Sequence, residues 1–291
     1  MERWEISSED ADYPKELLLL NHPPKVIYGM GDRSVLHQPC MSVIGARRAT
    51  PYGMAIAEMA GRCASDNNIV VVSGGALGCD YTAGMAALNA GGKTVVVAGC
   101  GADVTYPTTS SELFEAAREG RGAVISLDEW GTPPRRYAFP RRNAVIAALG
   151  KVLLVTEAGL CSGTMSTAEF ANSLGKTIYA IPGSIFSPAS AGTNRLISEG
   201  AQIIPDETSL GIAISLDFDC LVQEQIKKKK KLTPLLSALM ASPSRPEELA
   251  WRLSENVLTV LNSLTDYEAR GMVKRLPDGR YTPSKEFYLN S

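Results

Sequence analysis

The feature that most constrains the fold is an apolar, β-branched run at residues 69–72 that breaks into a glycine-rich turn at residues 73–78. The run shows no alternation of polar and apolar residues, which is typical of a parallel strand covered by helices on both faces. Glycines at 91 and 92 end the helical pattern that follows the turn. The stretch therefore predicts a strand, a loop and a helix, the repeating unit of an open α/β sheet.

The turn itself combines Ser73, Gly74 and Gly75 with Asp80, which is placed to cap a helix over residues 81–89. Glycines in such a turn can adopt positive φ and let backbone N–H groups approach an anion. The spacing matches neither the dinucleotide-binding fingerprint nor a P-loop. Two interpretations stay open: a phosphate-binding turn, or a turn that α/β folds use for structure alone.

A buried strand followed by a glycine or Ser/Thr turn recurs along the chain, at residues 41–45, 93–101, 151–164 and 177–183. Strands and helices alternate over residues 41–204. We therefore predict a doubly wound, mainly parallel sheet with several turns along one edge.

Candidate phosphate ligands lie in two of these turns. Arg47 and Arg48 follow the strand that ends at Gly45, at the edge where open α/β sheets bind ligands. The segment 162–164, made of Ser162, Gly163 and Thr164, stands at a predicted helix N-terminus, where free N–H groups and the helix dipole favour a phosphate. The arginines can equally be solvated loop residues, and the hydroxyl side chains simple N-caps.

A long proline-rich loop is predicted at residues 128–143, before a helix over residues 143–149. Four arginines and three aromatic residues fall in this loop. Guanidinium groups interleaved with rings suit a surface that binds phosphates and bases of a single strand. The alternative is that the rings pack the loop onto the core and the arginines are solvated. Lys176 is either a further cation of the site or a surface residue.

The C-terminal part begins after five consecutive lysines at residues 227–231, which are typical of a solvated spacer. Residues 232–283 predict three helices and a hairpin at Asp278 and Gly279, the pattern of a winged helix. The third helix, residues 255–270, holds three carboxylates and one arginine, so DNA phosphates would repel it. We therefore favour a protein contact or an accessory role for this part.

Composition excludes several classes of function. The formal net charge is −2, so nucleic-acid binding would require locally concentrated cations. The six cysteines form no C-x-x-C pair and there are only two histidines, which argues against a zinc site. No apolar stretch reaches membrane-spanning length, and unpaired cysteines suit a reducing compartment. We expect a cytoplasmic protein with no membrane contact, no metal and no cofactor.

Six motifs in this order resemble the DNA-processing protein A (DprA/Smf) family over about residues 13–205; they lie at residues 45–47, 73–80, 106–107, 139–143, 157–164 and 181–183. The resemblance implies an extended Rossmann fold that binds single-stranded DNA and forms a homodimer. It also implies that the protein protects incoming DNA and loads the RecA recombinase during natural transformation, without covalent chemistry.

By that resemblance Arg47, Arg141, Arg142 and Asn143, with the turn at residues 162–164, hold phosphates and Phe139 stacks on a base. The full DNA-binding set that we predict is Arg47, Ser73, Gly74, Gly75, Asp80, Phe139, Arg141, Arg142, Asn143, Ser162, Gly163, Thr164 and Lys176. The expected parts of the chain are an N-terminal lead-in (1–39), a Rossmann-like DNA-binding domain (40–210), a helix and lysine-rich linker (211–231) and a winged-helix-like domain (232–291).

The alternative function is enzymatic. A related Rossmann group, the nucleoside-monophosphate phosphoribohydrolases, holds phosphate and ribose with a glycine-rich turn followed by a threonine and a glutamate. Gly163 and Thr164, followed by Glu169, are distantly similar to that turn. The glutamate falls five residues after the threonine, and the motif at residues 139–143 has no place in that group.

Overall fold

The structure is a computed structural model that describes residues 2–220 and 232–290. The strands are β1 Arg3–Ser7, β2 Val26–Gly31, β3 Cys40–Ile44, β4 Val70–Ser73, β5 Thr94–Val97, β6 Gly122–Ser126, β7 Val152–Val155, β8 Thr177–Ala180, β9 Gln202–Ile203, β10 Val273–Arg275 and β11 Tyr281–Pro283. The helices are α1 Pro51–Asp66, α2 Cys79–Asn89, α3 Ser111–Ala116, α4 Ala138–Leu149, α5 Gly163–Ser173, α6 Ala191–Ser198, α7 Glu207–Phe218, α8 Pro234–Ala241, α9 Pro246–Leu253, α10 Val257–Ala269 and α11 Lys285–Asn290. Short 3₁₀ turns lie at Lys15–Leu19, Arg33–His37 and Thr108–Ser110, and one π turn at Ala117–Arg121.

Nine strands form one sheet in the order β1-β2-β6-β5-β4-β3-β7-β8-β9. All pairs from β6 to β9 are parallel. The residues of β3, β4, β5 and β7 are buried, as expected for strands that helices cover on both faces. The predicted α/β class with a mainly parallel, Rossmann-like sheet is confirmed.

The sheet begins earlier than the sequence pattern indicates, because β1 and β2 add two antiparallel strands beside β6. The lead-in expected at residues 1–39 is thus part of the main sheet. Trp4 explains the pairing: its ring lies where a side chain on Gly29 would be, and its indole N–H donates to the Gly31 carbonyl at 2.9 Å. A charged strand of five residues is hard to recognise from its sequence because its β-propensity is weak. The contact of Trp4 with the neighbouring strand stabilises it instead.

Small residues hold α1 against α2. Gly61 lies so close to the second helix that an added Cβ would sit 2.3 Å from the Ala83 carbonyl oxygen and 2.9 Å from the Ala86 Cβ. Buried alanines line the rest of this contact. Because each of these helices follows one of two parallel strands, their N-terminal ends lie at the same end of the sheet, beside the turns that follow β3 and β4.

Residues 232–290 form a smaller unit in which α8, α9 and α10 pack on the β10–β11 hairpin. Three helices followed by a hairpin match the predicted order, and the winged-helix assignment itself stays a prediction. The last helix, α11, contacts α1: the Tyr288 ring is 5.5 Å from the Tyr52 ring, and Lys285 Nζ is 2.7 Å from a Glu58 carboxylate oxygen. The lysine run at 227–231 lies outside the described residues.

Candidate nucleic-acid interface

The turns that follow β3, β4, β5 and β7 meet at one end of the sheet, because these strands are parallel and adjacent. Two contacts join them directly. The Thr164 hydroxyl donates to the Gly45 carbonyl oxygen at 3.0 Å, which ties the start of α5 to the end of β3. Gly78 packs so tightly that an added Cβ would lie 2.3 Å from the Ala46 carbonyl oxygen. The predicted clustering of loops along one sheet edge is observed.

Asp80 does not cap its own helix, which is a correction to the sequence prediction. The helix α2 begins at Cys79, directly after Gly78. The φ of Gly78 is 80°, a conformation that favours glycine. The Asp80 carboxylate instead accepts from the backbone N–H groups of Gly74 at 3.1 Å and Gly45 at 3.3 Å. It therefore fixes two turns of the site relative to each other.

Arg142 fills the glycine-rich turn from inside the protein. Its side chain is 4% exposed and donates to the Val97 carbonyl oxygen at 2.9 Å. A Cβ on Gly74 would lie 1.6 Å from a guanidinium nitrogen of Arg142, so glycine is required here to make room for the arginine. The Ser73 hydroxyl, also buried, donates to the Val43 carbonyl oxygen.

The turn at Ser73, Gly74 and Gly75 is therefore packed rather than open to a phosphate. A Cβ on Gly75 would meet Val96 at 2.7 Å and the Phe114 ring at 2.8 Å. We replace the expected DNA contacts of these three residues, and of Asp80, with a structural role. The pattern of glycines gave the right turn, but the partner of the turn is an arginine about seventy residues away, which local spacing does not reveal.

Arg142 and Asp80 are buried groups of opposite charge that interact electrostatically without a direct ion pair among the described contacts. Burial raises the pKa of the Asp80 carboxyl, while the Arg142 charge and the N–H groups of Gly74 and Gly45 act in the opposite direction. Burial lowers the pKa of Arg142 to about 10, and the Asp80 charge opposes that shift. Among the described residues the Nε of Arg142 has no hydrogen-bond partner. Each charge thus depends on the other for its stability in the interior.

The predicted loop is shorter than expected because α4 begins at Ala138 rather than at residue 143. Pro140 lies in the first turn of the helix, where a missing N–H breaks no helical hydrogen bond, so the proline misled the prediction. Phe139 and Arg142 are three residues apart on this helix and share one face, with the guanidinium carbon 6.0 Å from the ring centroid.

Phe139 is the centre of an aromatic and cationic cluster at the surface. Its ring is half-buried and packs over Gly99, where an added Cβ would lie 2.8 Å from the ring. The exposed Arg47 places its guanidinium carbon 5.6 Å from the ring centroid, and the Tyr106 ring lies 5.7 Å away at an interplanar angle of 49°. A cation and two rings, one of them 46% exposed at Tyr106, thus face solvent together.

The remaining predicted phosphate ligands differ in whether their polar groups are free to bind a phosphate. Arg141 pairs with Asp128, so part of its charge is already compensated. Asn143 donates from its amide to the Ser166 hydroxyl at 3.1 Å, which fastens α4 to α5. The hydroxyl of Ser162 is buried and unpartnered within the described part of the chain, whereas that of Thr164 is engaged with Gly45. Gly163 is exposed at the N-terminus of α5.

Lys176 does not belong to this cluster, which is a second correction. It directly precedes β8, so it lies at the amino ends of the parallel strands, and the turns of the site lie at the carboxyl ends. From the sequence, Lys176 was either a further cation of the site or a surface residue, and the predicted DNA-binding set included it. In a parallel sheet a helix returns the chain to the opposite edge, so residues on either side of a helix end up at different ends.

Two residues that sequence reasoning left without a role also belong to the site. Tyr106 adds the second ring described above; its position in a recognised motif was the available signal. Glu157, 2% exposed, accepts from the backbone N–H of Thr50 at 2.8 Å and from its hydroxyl at 2.6 Å, which fixes the loop that carries Arg47. Burial raises the pKa of the Glu157 carboxyl, and these two hydrogen bonds oppose the shift.

Within residues 2–220 and 232–290, no group of three or more His, Cys, Asp or Glu side chains could hold a metal ion. The helices of the same described residues include none long and apolar enough to cross a membrane.

The sequence matches the family described as DNA recombination-mediator protein A over residues 4–214. Protein Smf from Escherichia coli K12 is 29% identical over 283 residues, covering 94% of this chain and 76% of Smf. The DNA processing protein DprA of Streptococcus pneumoniae R6 is 36% identical over 195 residues, covering 67% of this chain and 68% of that protein.

Solved structures agree with the sequence matches. The X-ray structure of DprA from Streptococcus pneumoniae superposes with a TM-score of 0.68 at 34% identity, covering 72% of this chain and 74% of that chain. DNA processing protein A from Helicobacter pylori, studied for its single-stranded DNA binding mode, gives a TM-score of 0.68 at 31% identity, covering 75% of this chain and 97% of that chain. By sequence and by structure, this chain belongs to the DNA recombination-mediator protein A family, which includes the DprA and Smf proteins.

Proposed function

We propose that this protein binds single-stranded DNA at the carboxyl ends of its parallel strands. The observation that carries the proposal is the cluster of Arg47, Tyr106 and Phe139, in which an exposed cation stands over the half-buried Phe139 ring and the Tyr106 ring packs beside that ring. Exposed bases can stack on such rings with little preference for sequence, and a nearby guanidinium can hold the phosphate between them.

The neighbouring N-terminus of α5 supports the same path for the strand. Gly163 is exposed there, and the free N–H groups of the first helical turn favour a phosphate. Asn143 ties this helix end to α4, so the two parts of the surface keep a fixed spacing. The relative from Helicobacter pylori, whose single-stranded DNA binding mode has been studied, supports the assignment by likeness of fold.

We further propose that the bound strand is protected and handed to the RecA recombinase during natural transformation, and that the protein acts as a homodimer. The description of the family as recombination mediators supports the first part. A strand-exchange assay on DNA coated with single-strand binding protein tests it, because a mediator should shorten the lag before RecA filaments form. Light scattering at several protein concentrations tests the dimer.

Binding rather than covalent chemistry is the proposed activity. The phosphoribohydrolase alternative needs a glutamate beside the glycine–threonine turn, but Glu169 is exposed more than one helical turn along α5, and the Thr164 hydroxyl is already bonded to Gly45. Incubation with nucleoside monophosphates should release no free base. Release of base at a rate proportional to enzyme concentration would favour the alternative.

A fluorescence anisotropy titration tests the proposed binding. A labelled single strand should bind more tightly than the matching duplex, whose paired bases cannot stack on protein rings. If each protomer contacts about three to six phosphates, the affinity should fall with salt by roughly 0.7 logarithmic units per phosphate for each logarithmic unit of salt. Equal or tighter binding of the duplex, or binding independent of salt, would contradict the proposal.

A further inference from the structure

A cavity of about 440 Å³ lies at the amino ends of β3, β7 and β8, on the edge of the sheet opposite the proposed DNA surface. Its walls come from parts of the chain that are distant in sequence: the turn Lys15–Leu19, the turn Arg33–His37, the end of α4 and the end of α7. Its size falls within the range of pockets that bind small molecules.

The cavity concentrates positive charge in a chain whose net charge is −2. Three lysines line it, at positions 15, 151 and 176, against one carboxylate, Glu16. The thiol of Cys40 adds no negative charge at neutral pH, because burial raises its pKa to about 12. The lining therefore carries a formal charge of +2 from three lysines and one glutamate, leaving His37 uncharged.

Among the described contacts, no direct ion pair joins a lysine of the cavity to a carboxylate. Among the described residues, the lysines that form ion pairs are Lys93 and Lys285, both outside the cavity. Lys176 is half-buried, and burial lowers its pKa although Glu16 opposes the shift. Burial makes the charged form of Lys176 costly, Glu16 offsets only part of that cost, and a bound anion would offset more of it.

Another part of the lining is apolar and aromatic. Leu36 and Leu149 line it, and so does Phe218, whose ring centroid lies 5.5 Å from the Nζ of Lys151. An inorganic phosphate would use only the lysines. An anion that also presents a flat, apolar body would use both the lysines and the apolar residues, and nucleoside phosphates have that combination.

We propose that this cavity binds a small phosphorylated nucleoside, with its phosphate between Lys151 and Lys176 and its base against Phe218. The site is independent of the DNA surface, because the cavity lies at the amino ends of the parallel strands and the DNA surface at their carboxyl ends. The proposal does not rest on the function proposed above.

Isothermal titration of the full chain with inorganic phosphate, AMP, ADP and ATP tests the proposal. At least one nucleotide should bind in saturable fashion and more tightly than phosphate alone. Lys176→Gln should weaken that binding by about tenfold or more, the effect of losing one hydrogen bond to a charged group, and Lys176→Arg should restore part of it. The melting temperature of each variant without nucleotide shows that it is folded.

Two controls separate this site from others. Lys274→Gln removes the same charge from an exposed lysine on the β10–β11 hairpin and should leave nucleotide affinity unchanged. Arg47→Ala alters the proposed DNA surface and should also leave it unchanged. An excess of oligothymidine should not displace the nucleotide. No saturable binding, an undiminished affinity in folded Lys176→Gln, or loss of nucleotide binding in Arg47→Ala or on adding oligothymidine would overturn the proposal.

Discussion

The two ends of the parallel strands carry cations in different settings. At the carboxyl ends, Arg47 is exposed above the half-buried ring of Phe139, on an open surface. At the amino ends, Lys176 is half-buried in the wall of a cavity. A strand of DNA presents many phosphates and bases and needs an open path, whereas a small anion gains most from enclosure. The sign of the charge alone therefore does not identify the ligand. The shape of the surface around the charge is what distinguishes a strand of DNA from a small anion.

The largest expected effect concerns Arg142, the buried arginine at the carboxyl ends of the parallel strands. Arg142→Met should lower the free energy of unfolding by about 3–5 kcal/mol, because it leaves the buried Asp80 without its opposite charge. Urea denaturation measures the change. Arg47→Met, at an exposed position, is the matched control and should change stability by less than about 0.5 kcal/mol.

This pair of variants also decides between two roles for Arg142. If Arg142→Met were as stable as the parent and changed only the salt dependence of DNA binding, the guanidinium would contact phosphate, as the resemblance implied. A large loss of stability would place it among the groups that shape the site.

The next largest effect concerns the ring of Phe139 and the affinity for single strands. Phe139→Ala should weaken binding of single strands by roughly 1–3 kcal/mol, since stacking on a base is lost, and should leave the salt slope unchanged because no charge is removed. Phe139→Tyr retains the ring and is the control. The melting temperature must be measured alongside, because the ring also packs over Gly99. Early melting with no loss of affinity per folded molecule would identify Phe139 as a packing residue only.

A smaller effect is expected at the exposed cation. Arg47→Ala should reduce the slope of log affinity against log salt by about 0.7, the contribution of one phosphate contact to a single strand. Arg33→Ala removes the same charge near the opposite edge, where Arg33 pairs with Asp12 at 3.2 Å, and should keep the parent slope. An unchanged slope in the Arg47 variant would mean that this arginine is only solvated.

The smallest effect is expected from removal of the C-terminal unit. A chain that ends at residue 226 should bind single strands within about threefold of the parent, a difference of about 0.65 kcal/mol. A second truncation after residue 231 keeps the five lysines and isolates their contribution. Both lose the contacts of Tyr288 and Lys285 with α1, so their folding must be checked by circular dichroism. Complete loss of affinity in a folded truncation would move the site into the removed segment.

Much of the fold could be predicted from the sequence because buried parallel strands leave a strong local signal. The apolar runs at residues 70–72 and 152–155 are strands, and the turns after them meet at one sheet edge. β1 was not predicted, since its stability comes from Trp4 packing across Gly29 on the neighbouring strand. The start of α4 was missed because Pro140 in a first helical turn has the same local signature as a proline in a loop.

The clustering of the candidate residues was predicted in outline and corrected in detail for a related reason. Arg47, Phe139 and the start of α5 do come together, and exposure at Arg47 agrees with a binding role. Whether an arginine is exposed or buried depends on contacts between distant segments, such as Arg142 against Gly74, and the sequence does not encode these locally. The same limitation put Lys176 at the wrong end of the sheet.

The central claim, that a single strand lies on the rings at the carboxyl ends of the strands, is tested most directly by photo-crosslinking. Single strands in which iodouracil replaces thymine crosslink under long-wave ultraviolet light to aromatic side chains that stack on the base, and mass spectrometry identifies the peptide. We predict crosslinks at Phe139 or Tyr106, abolished by excess unlabelled single strand and reduced in Arg47→Ala. Crosslinks confined to residues 232–290, or to the walls of the cavity at the amino ends, would contradict this account.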